Sequence, residues 1–465
     1  MMAPAREDVI VVGATPSAFP PAVGVADDDV APSHDRAFRL RRAGNWIPLG
    51  ITYAAFYMGR YNFNVIKGDL GAVYHLDKTQ VGAIATAGFW TYALSVIVNG
   101  PIADRVGGRK AILFGALGTF AINAVIGLLF LRGWTLHLVL GMSVLYATNM
   151  FFQSFGALSV VKINAAWFHV RERGVLGGVF AVLIGLGYWL AFTLGGKIYA
   201  MSKAHWGQGP LAFAPIFFAP ALATLIMFFV VAWRVRDRPS AAGHADLNTG
   251  DASAGDEAPV DLTYVVRRVL LHPVIRVIAA AEFCTGFVRQ GLLLYMTEFL
   301  VEVHKQPIGN AIHAWTGTSI TIGGIVGGLS CGWLSDRVFQ SRRPPVAFLF
   351  YLGQIGSLLL LGWVTSPGAA AFMIGVSCMW IFGVHGMLSG TASADFGGKK
   401  AAATATGILD GVQYVASGLT GFGLGYVLKR WHWGVWTYSL IPFSLLGALL
   451  MLLIWNARPS RTATS

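Results

Sequence analysis

Charge is scarce in this sequence. Only 12% of its 465 residues are Asp, Glu, Lys or Arg, and 55% are hydrophobic. Soluble domains carry about twice that share of charge. A water-facing fold around one core is therefore excluded. Cysteine is scarcer still: Cys284, Cys331 and Cys378 each fall inside an apolar run. That placement excludes a disulfide framework, and no spacing suits a metal. No nucleophile–base pairing is visible, so an enzyme reading has no support. The glycine-rich stretch 323–328, GGIVGG, follows no strand, which removes a nucleotide-binding loop. No cofactor is implied. The N-terminus lacks the form of a cleavable signal: residues 1–43 include Asp27-Asp28-Asp29 and end basic.

What is present is length without charge. Apolar runs of about 20 residues, each enough to cross a bilayer as a helix, recur near 45–67, 80–102, 110–131, 137–162, 174–200, 211–234, 274–301, 310–335, 345–364, 370–393, 401–428 and 434–456. They predict an all-α membrane protein of twelve transmembrane helices. The formal charge of +12 would raise nucleic acid as a partner in a soluble chain. Here its location explains it. On one side of the predicted membrane lie only Lys67, Lys78, Arg132, Lys197, Lys203, Lys305, Lys429 and Arg430, and Arg60, Lys162 and Arg289 lie in helices. The other Lys and Arg share the opposite side, which the positive-inside rule makes cytoplasmic, together with both termini. The lipid bilayer is the expected partner, nucleic acid is not, and a monomer is expected.

The stretch PSAAGHADLNTGDASAGDEAP has almost no large apolar residue and cannot bury enough surface to fold alone. It divides the chain into a disordered cytoplasmic tail (1–43), a six-helix bundle (44–235), a flexible cytoplasmic linker (236–270), a second six-helix bundle (271–457) and a short cytoplasmic tail (458–465). The halves repeat. Gly100-Pro-Ile-Ala-Asp104-Arg105 with Arg109 follows the second run, and Gly332-Trp-Leu-Ser-Asp336-Arg337 follows the eighth. In each, the glycine suits close helix approach and the aspartate suits a cation or a helix N-terminus across the loop. This doubled motif resembles the major facilitator superfamily over residues 44–457. The resemblance implies two pseudo-symmetric bundles that rock about a central site.

Ionisable groups inside a membrane are costly and face cavities or partners. They locate the candidate site. Arg60 shares a helix face with Tyr53, Tyr57 and Asn64, at spacings of four, three and four. Arg289 precedes Asp336 much as Arg60 precedes Asp104, so repeat symmetry predicts opposing guanidinium groups in one cavity. Guanidinium suits forked recognition of phosphate or carboxylate, and two of them call for an anion between. Lys162 is a third candidate cation, though near a helix end. Glu282, seven residues before Arg289 on the same face, is its expected resting partner. Asp410 is a candidate for neutralising an arginine, carrying a proton or touching cargo. Tyr92, Gln153, Gln290, His385 and Gln413 suit a cavity wall or a hydrogen bond between helices.

With these residues the chain resembles the organophosphate:phosphate antiporter family. The resemblance is carried by Tyr53, Tyr57, Arg60-Tyr61-Asn62-Phe63, Trp167-Phe168, Arg171-Glu172-Arg173-Gly174, Arg289, Cys331-Gly332-Trp333-Leu334-Ser335-Asp336-Arg337 and Lys399-Lys400. It implies that Arg60 and Arg289 are phosphate ligands, that Tyr53, Tyr57 and Tyr92 line the pore, and that a small anion, a phosphate ester, is exchanged for inorganic phosphate across a cell inner (plasma) membrane. Auxiliary polar groups of the glycerol-3-phosphate carriers are replaced at Tyr61, Val96, Ala166 and Thr321. Two alternatives remain open. Arg60-Tyr61-Asn62 also resembles the anion:cation symporter family, carriers of sugar acids. Some relatives of hexose-phosphate carriers resemble non-transporting sensors.

Overall fold

In the computed structural model, residues 34–169, 172–249, 271–340, 342–392 and 402–457 are described. The side chains of 173–180, 390–392 and 402–406 are not. Arg171, Lys399 and Lys400, the two outer tails and 250–270 lie outside this set, as do the side chains of Arg173 and Gly174.

The described chain forms long helices and no strand. The first half holds α1 (Arg36–Val73), α2 (Lys78–Val106), α3 (Gly108–Leu131), α4 (Leu138–Trp167), α5 (Arg173–Tyr188, a π-helical Trp189–Leu194, then Gly195–Trp206) and α6 (Pro210–Arg234). The second holds α7 (Pro273–Glu302), α8 (Ala311–Arg337), α9 (Arg343–Trp363), α10 (Pro367–His385, then a π-helical Gly386–Ala392), α11 (Ala402–Leu419, a π-helical Thr420–Leu424, then Gly425–Trp431) and α12 (Trp436–Leu453). Nine of these, all but α1, α8 and α11, are long and apolar enough to span a membrane by length and composition alone. In α1 and α11, residues such as Arg60, Asn62 and Asn64, or Asp410 and Gln413, dilute the apolar run.

Local chemistry sets several boundaries. The Asp35 carboxylate accepts from the Phe38 N–H at 2.7 Å and starts α1. Asp77 and Gln80 form a reciprocal capping box at α2. Asn310 caps α8, and proline opens α6, α7 and α10, where its missing N–H costs nothing. Leu94, Trp233, Trp333, Trp363 and Leu453 stand exposed on the outer surface, as a lipid-facing wall requires.

Three findings revise the sequence reading. First, α1 has 38 residues, about 57 Å at 1.5 Å per residue. It reaches back into the segment expected as disordered tail. There Phe38 stacks on Trp167 and Arg42 donates to Glu172 at 2.8 Å, contacts that make the order worth its entropy. Second, the start of the expected flexible linker is ordered on the first bundle. Asp237 accepts from the Arg109 backbone N–H at 2.8 Å, and the Arg236 N–H donates to Asn45 at 2.7 Å. Third, the motif glycines Gly100 and Gly332 face no neighbouring helix; a Cβ at either meets open space. Close approach occurs elsewhere. A Cβ at Gly82 would overlap the Gly421 carbonyl, so α2 and α11 touch backbone to backbone across the two halves.

The two ends of the molecule are built differently. At the end opposite the termini, ion pairs cross between the halves. Lys67 of α1 meets Glu298 of α7 at 2.6 Å with both side chains nearly fully buried. Lys78 bridges Glu298 and Glu302, and Lys429 meets Asp77 at 2.8 Å. At the end bearing the termini, Lys162–Asp104, Arg42–Glu172 and Arg343–Asp336 each join groups of one half. The apolar core follows the same division. One cluster runs through the first half into Leu292, Tyr295 and Leu440, while Ile275, Val346, Leu409 and Met451 form a separate cluster toward the terminal end. Among the described residues, the Lys67, Lys78 and Lys429 ion pairs tie the two halves together at the end opposite the termini.

Candidate anion-binding site

About two-thirds of the way along α1, Arg60 is fully buried. Its Nε donates to Gln153 of α4 at 3.1 Å, and its Nη1 donates to the Tyr414 hydroxyl of α11 at 2.6 Å. The guanidinium lies 4.8 Å from the Tyr57 ring centre and 4.4 Å from that of Tyr92, close enough for cation–π attraction. Its Nη2 is buried with no hydrogen-bond partner. A buried unpaired donor on a charged group costs more than about 1–3 kcal/mol.

Arg289 of α7 is 2% exposed. Its Nη2 donates to Gln413 of α11 at 2.8 Å, and its Nε is buried without a partner. Both arginines look onto one ring: the Tyr414 centroid is 5.8 Å from the Arg60 guanidinium carbon and 5.2 Å from that of Arg289. The two cations are thus at most about 11 Å apart, where repulsion at an effective dielectric of 20 is at least about 1.5 kcal/mol. Two glutamine carbonyls, a phenol oxygen and aromatic faces offset that repulsion. None of these carries a full negative charge, so an anion has no carboxylate to displace from either guanidinium.

The acids lie behind Arg289. The expected Glu282–Arg289 pair gives way to another arrangement. Glu282 is fully buried and its Oε2 is 3.2 Å from Nδ1 of His385 on α10. The Gln413 amide nitrogen is 2.8 Å from the same Nδ1. Asp410 lies within the electrostatic reach of His385, Arg289, Glu282 and Arg60.

The other sequence candidates divide. Tyr53 and Tyr57 pack edge to face at 5.2 Å, and the Tyr92 ring is 4.2 Å from Tyr414, so all three tyrosines join the Arg60 wall. Asn64 is one turn beyond. It donates to the Leu293 carbonyl at 3.3 Å, which binds α1 to α7 and leaves it out of the arginine pocket. Lys162 is also outside the site. Its ammonium reaches Asp104 at 3.1 Å and the Asp104 carbonyl at 2.7 Å, because it sits at the end of α4 beside the α2–α3 loop. Within that motif Arg109 donates to the Ala232 carbonyl, Arg105 and Arg337 are exposed, and Asp336 pairs with Arg343 at 2.9 Å.

The residue that joins the two arginines, Tyr414, went unremarked in the sequence. A signal was present: it follows Asp410 by four residues, on the same face of α11.

Comparison with known proteins agrees with this architecture. The sequence profile of the Major Facilitator Superfamily matches residues 49–421. The "Membrane sensor protein UhpC" of Escherichia coli (strain K12) is 29% identical, with 92% of this chain and 95% of the relative aligned. The "Glycerol-3-phosphate transporter" of Bacillus subtilis (strain 168) is 28% identical over 91% and 94% of the two chains. The "Probable hexose phosphate transport protein" of Chlamydia muridarum is 28% identical over 87% and 89%. Among solved structures, a bacterial homolog of the human lysosomal transporter Spinster, crystallised inward-facing and unoccupied, superposes with a TM-score of 0.69. That alignment has 15% identity and covers 90% of this chain and 97% of that one.

Proposed function

Because the chain belongs to the Major Facilitator Superfamily, and so to a class of multi-pass membrane transporters and not of enzymes, we propose that it carries a small phosphate-bearing anion. The cargo, an organophosphate, is held between Arg60 and Arg289 and exchanged for inorganic phosphate by rocker-switch alternating access. The observation that carries this reading is the pair of buried, unpartnered donors, Arg60 Nη2 and Arg289 Nε, on two guanidinium groups that share one tyrosine ring. Guanidinium donors in a dry site bind tetrahedral oxyanions through short charge-assisted bonds. The relatives named for glycerol-3-phosphate and hexose phosphate support the same chemistry. An empty site that keeps an uncompensated guanidinium charge reorients poorly, which favours exchange of anion for anion over net flux.

The site works by replacement. An entering anion takes the Tyr414 hydroxyl's place at Arg60 Nη1 and the Gln413 carbonyl's place at Arg289 Nη2, and also accepts from Arg60 Nη2 and Arg289 Nε. Closure of the terminal end around the loaded clamp then repays opening of the Lys67–Glu298 seal. The membrane is a cell inner membrane with the termini cytoplasmic, and the carrier works as a monomer.

The test is uptake of labelled phosphate into proteoliposomes preloaded with phosphate, phosphate esters or sugar acids. Phosphate preloading is expected to accelerate uptake, and phosphate esters are expected to compete. Sugar-acid uptake driven by a pH gradient, with no phosphate exchange, would replace this reading with a symporter. Saturable binding without exchange would favour a sensor, the second reading, which the similarity to the UhpC sensor supports.

A further inference from the structure

Behind Arg289 the hydrogen-bond roles are fixed by what each group can do. A guanidinium only donates, so the Gln413 atom facing Arg289 Nη2 is its carbonyl oxygen. The Gln413 amide nitrogen therefore points to His385 Nδ1 as a donor, at 2.8 Å. Nδ1 must accept, and in a neutral ring the proton is then on Nε2. Glu282 Oε2 approaches the same Nδ1 at 3.2 Å. An ionised carboxylate against an imidazole lone pair is two acceptors facing each other. One proton on Glu282 replaces that clash with an O–H that shares the Nδ1 lone pair with the Gln413 amide.

We propose that Glu282 and His385 share one transported proton, and that His385 and Gln413 link its presence to the anion-holding state of Arg289. The inference rests on the anion-clamp reading and adds the coupling ion to it.

The charges that face Glu282 set the sign. Arg289 lies on its own helix, His385 on α10 and Asp410 on α11, while Tyr351 of α9 and the Ser389 backbone approach it as neutral dipoles. With the proton on Glu282, His385 neutral and Asp410 ionised against the two arginines, the site has one net positive charge. Without the proton the site is neutral, and a carboxylate competes with the cargo for Arg289. Loss of the proton also lets Nδ1–H form toward Glu282, which turns the Gln413 amide and breaks its bond to Arg289. That released donor favours an anion, but a full negative charge beside the site outweighs one hydrogen bond. Proton and anion therefore bind together and cross together, in either direction. His385 and Gln413 are positioning residues, since they reach the anion through Arg289.

Infrared spectroscopy of the purified full chain tests the proton without any cargo. A carbonyl stretch of a protonated carboxylic acid is expected in the wild type near neutral pH. It should be absent in Glu282→Gln, retained in Asp410→Asn and shifted in frequency in His385→Asn. Phosphate binding supplies the second arm. The wild type is expected to lose roughly tenfold more affinity than Glu282→Gln as pH rises, and comparing the two cancels phosphate's own ionisation. His385→Asn should displace the wild-type pH profile, an effect that loss of packing alone would not produce. A protonated-acid band unchanged in folded Glu282→Gln, or identical pH profiles in all three proteins, would overturn the proposal. If the band behaves as expected while phosphate does not bind, the phosphate reading fails and the proton site stands.

Discussion

Arg60 and Arg289 occupy matching places in a repeated sequence and share one tyrosine ring, yet their surroundings differ in kind. Arg60 is walled by Tyr57, Tyr92 and Gln153. Arg289 is backed by Gln413, His385 and Glu282, with Asp410 nearby. The jaw in the first half is a cation of fixed charge in an aromatic box. The jaw in the second half is a cation whose neighbours can change charge. Repeat symmetry places the two side chains, and divergence between the halves surrounds them differently; in the proposed mechanism one side holds and the other reports protonation.

The largest effect should come from either guanidinium. Arg60→Lys and Arg289→Lys keep the charge but lose the fork, and each forfeits charge-assisted bonds of about 1.5–3 kcal/mol. Phosphate exchange in proteoliposomes is expected to fall by about a hundredfold or more in both, while both variants still insert into the membrane.

A smaller effect separates the jaws at their shared residue. Tyr414→Phe removes the hydroxyl that occupies Arg60 Nη1 and leaves the ring over Arg289 in place. Anion affinity, measured by calorimetry with phosphate, should rise about fivefold as a competitor disappears, and the empty protein should lose about 1–2 kcal/mol of stability. An unchanged affinity would mean that the hydroxyl does not occupy the anion's place.

The two glutamines sharpen the comparison further. Gln153→Leu frees Arg60 Nε, and its effect on phosphate affinity should be the same at every pH, because no titrating group stands behind it. Gln413→Leu cuts Arg289 from His385, and its effect should vary with pH. Equal pH profiles for both variants would erase the proposed difference between the jaws.

The smallest effect is a control at the sealed end. The Asp77 carboxyl lies below its ordinary range because the Lys429 ammonium hydrogen-bonds it. A depressed folded value means that this stabilisation is fully present above the unfolded value of about 3.9 and is lost as pH falls through the folded one. Lys429→Ala should therefore alter melting temperature slightly at neutral pH, and the difference should fade as pH falls through the depressed folded value of Asp77. The pH response of anion binding near neutrality should be untouched by it.

Much of the fold was legible because lipid permits few solutions. Backbone polar groups must be satisfied within helices, so apolar runs and their spacing revealed the rods and the two halves. The intramembrane arginines were legible for the same reason: such charges persist in lipid where something answers them. Other features depend on contacts between helices that period and composition do not encode. Lys67 counted only as a charge on one side of the membrane, and its burial against Glu298 appears only when α1 meets α7. Lys162 looked like a site cation because it falls within an apolar run, yet its long stem carries the ammonium to Asp104. Gly100 and Gly332 suggested close packing, whereas the halves touch at Gly82 and Gly421, outside any motif.

The central claim is that the two arginines act as one clamp on one anion. A double-mutant cycle tests it: equilibrium binding of labelled phosphate to purified wild type, Arg60→Lys, Arg289→Lys and the double variant. A single clamp requires each single variant to lose nearly all the affinity and the double variant to lose little more, a large coupling energy between the two positions. Losses that simply add, or wild-type binding by either single variant, would contradict it.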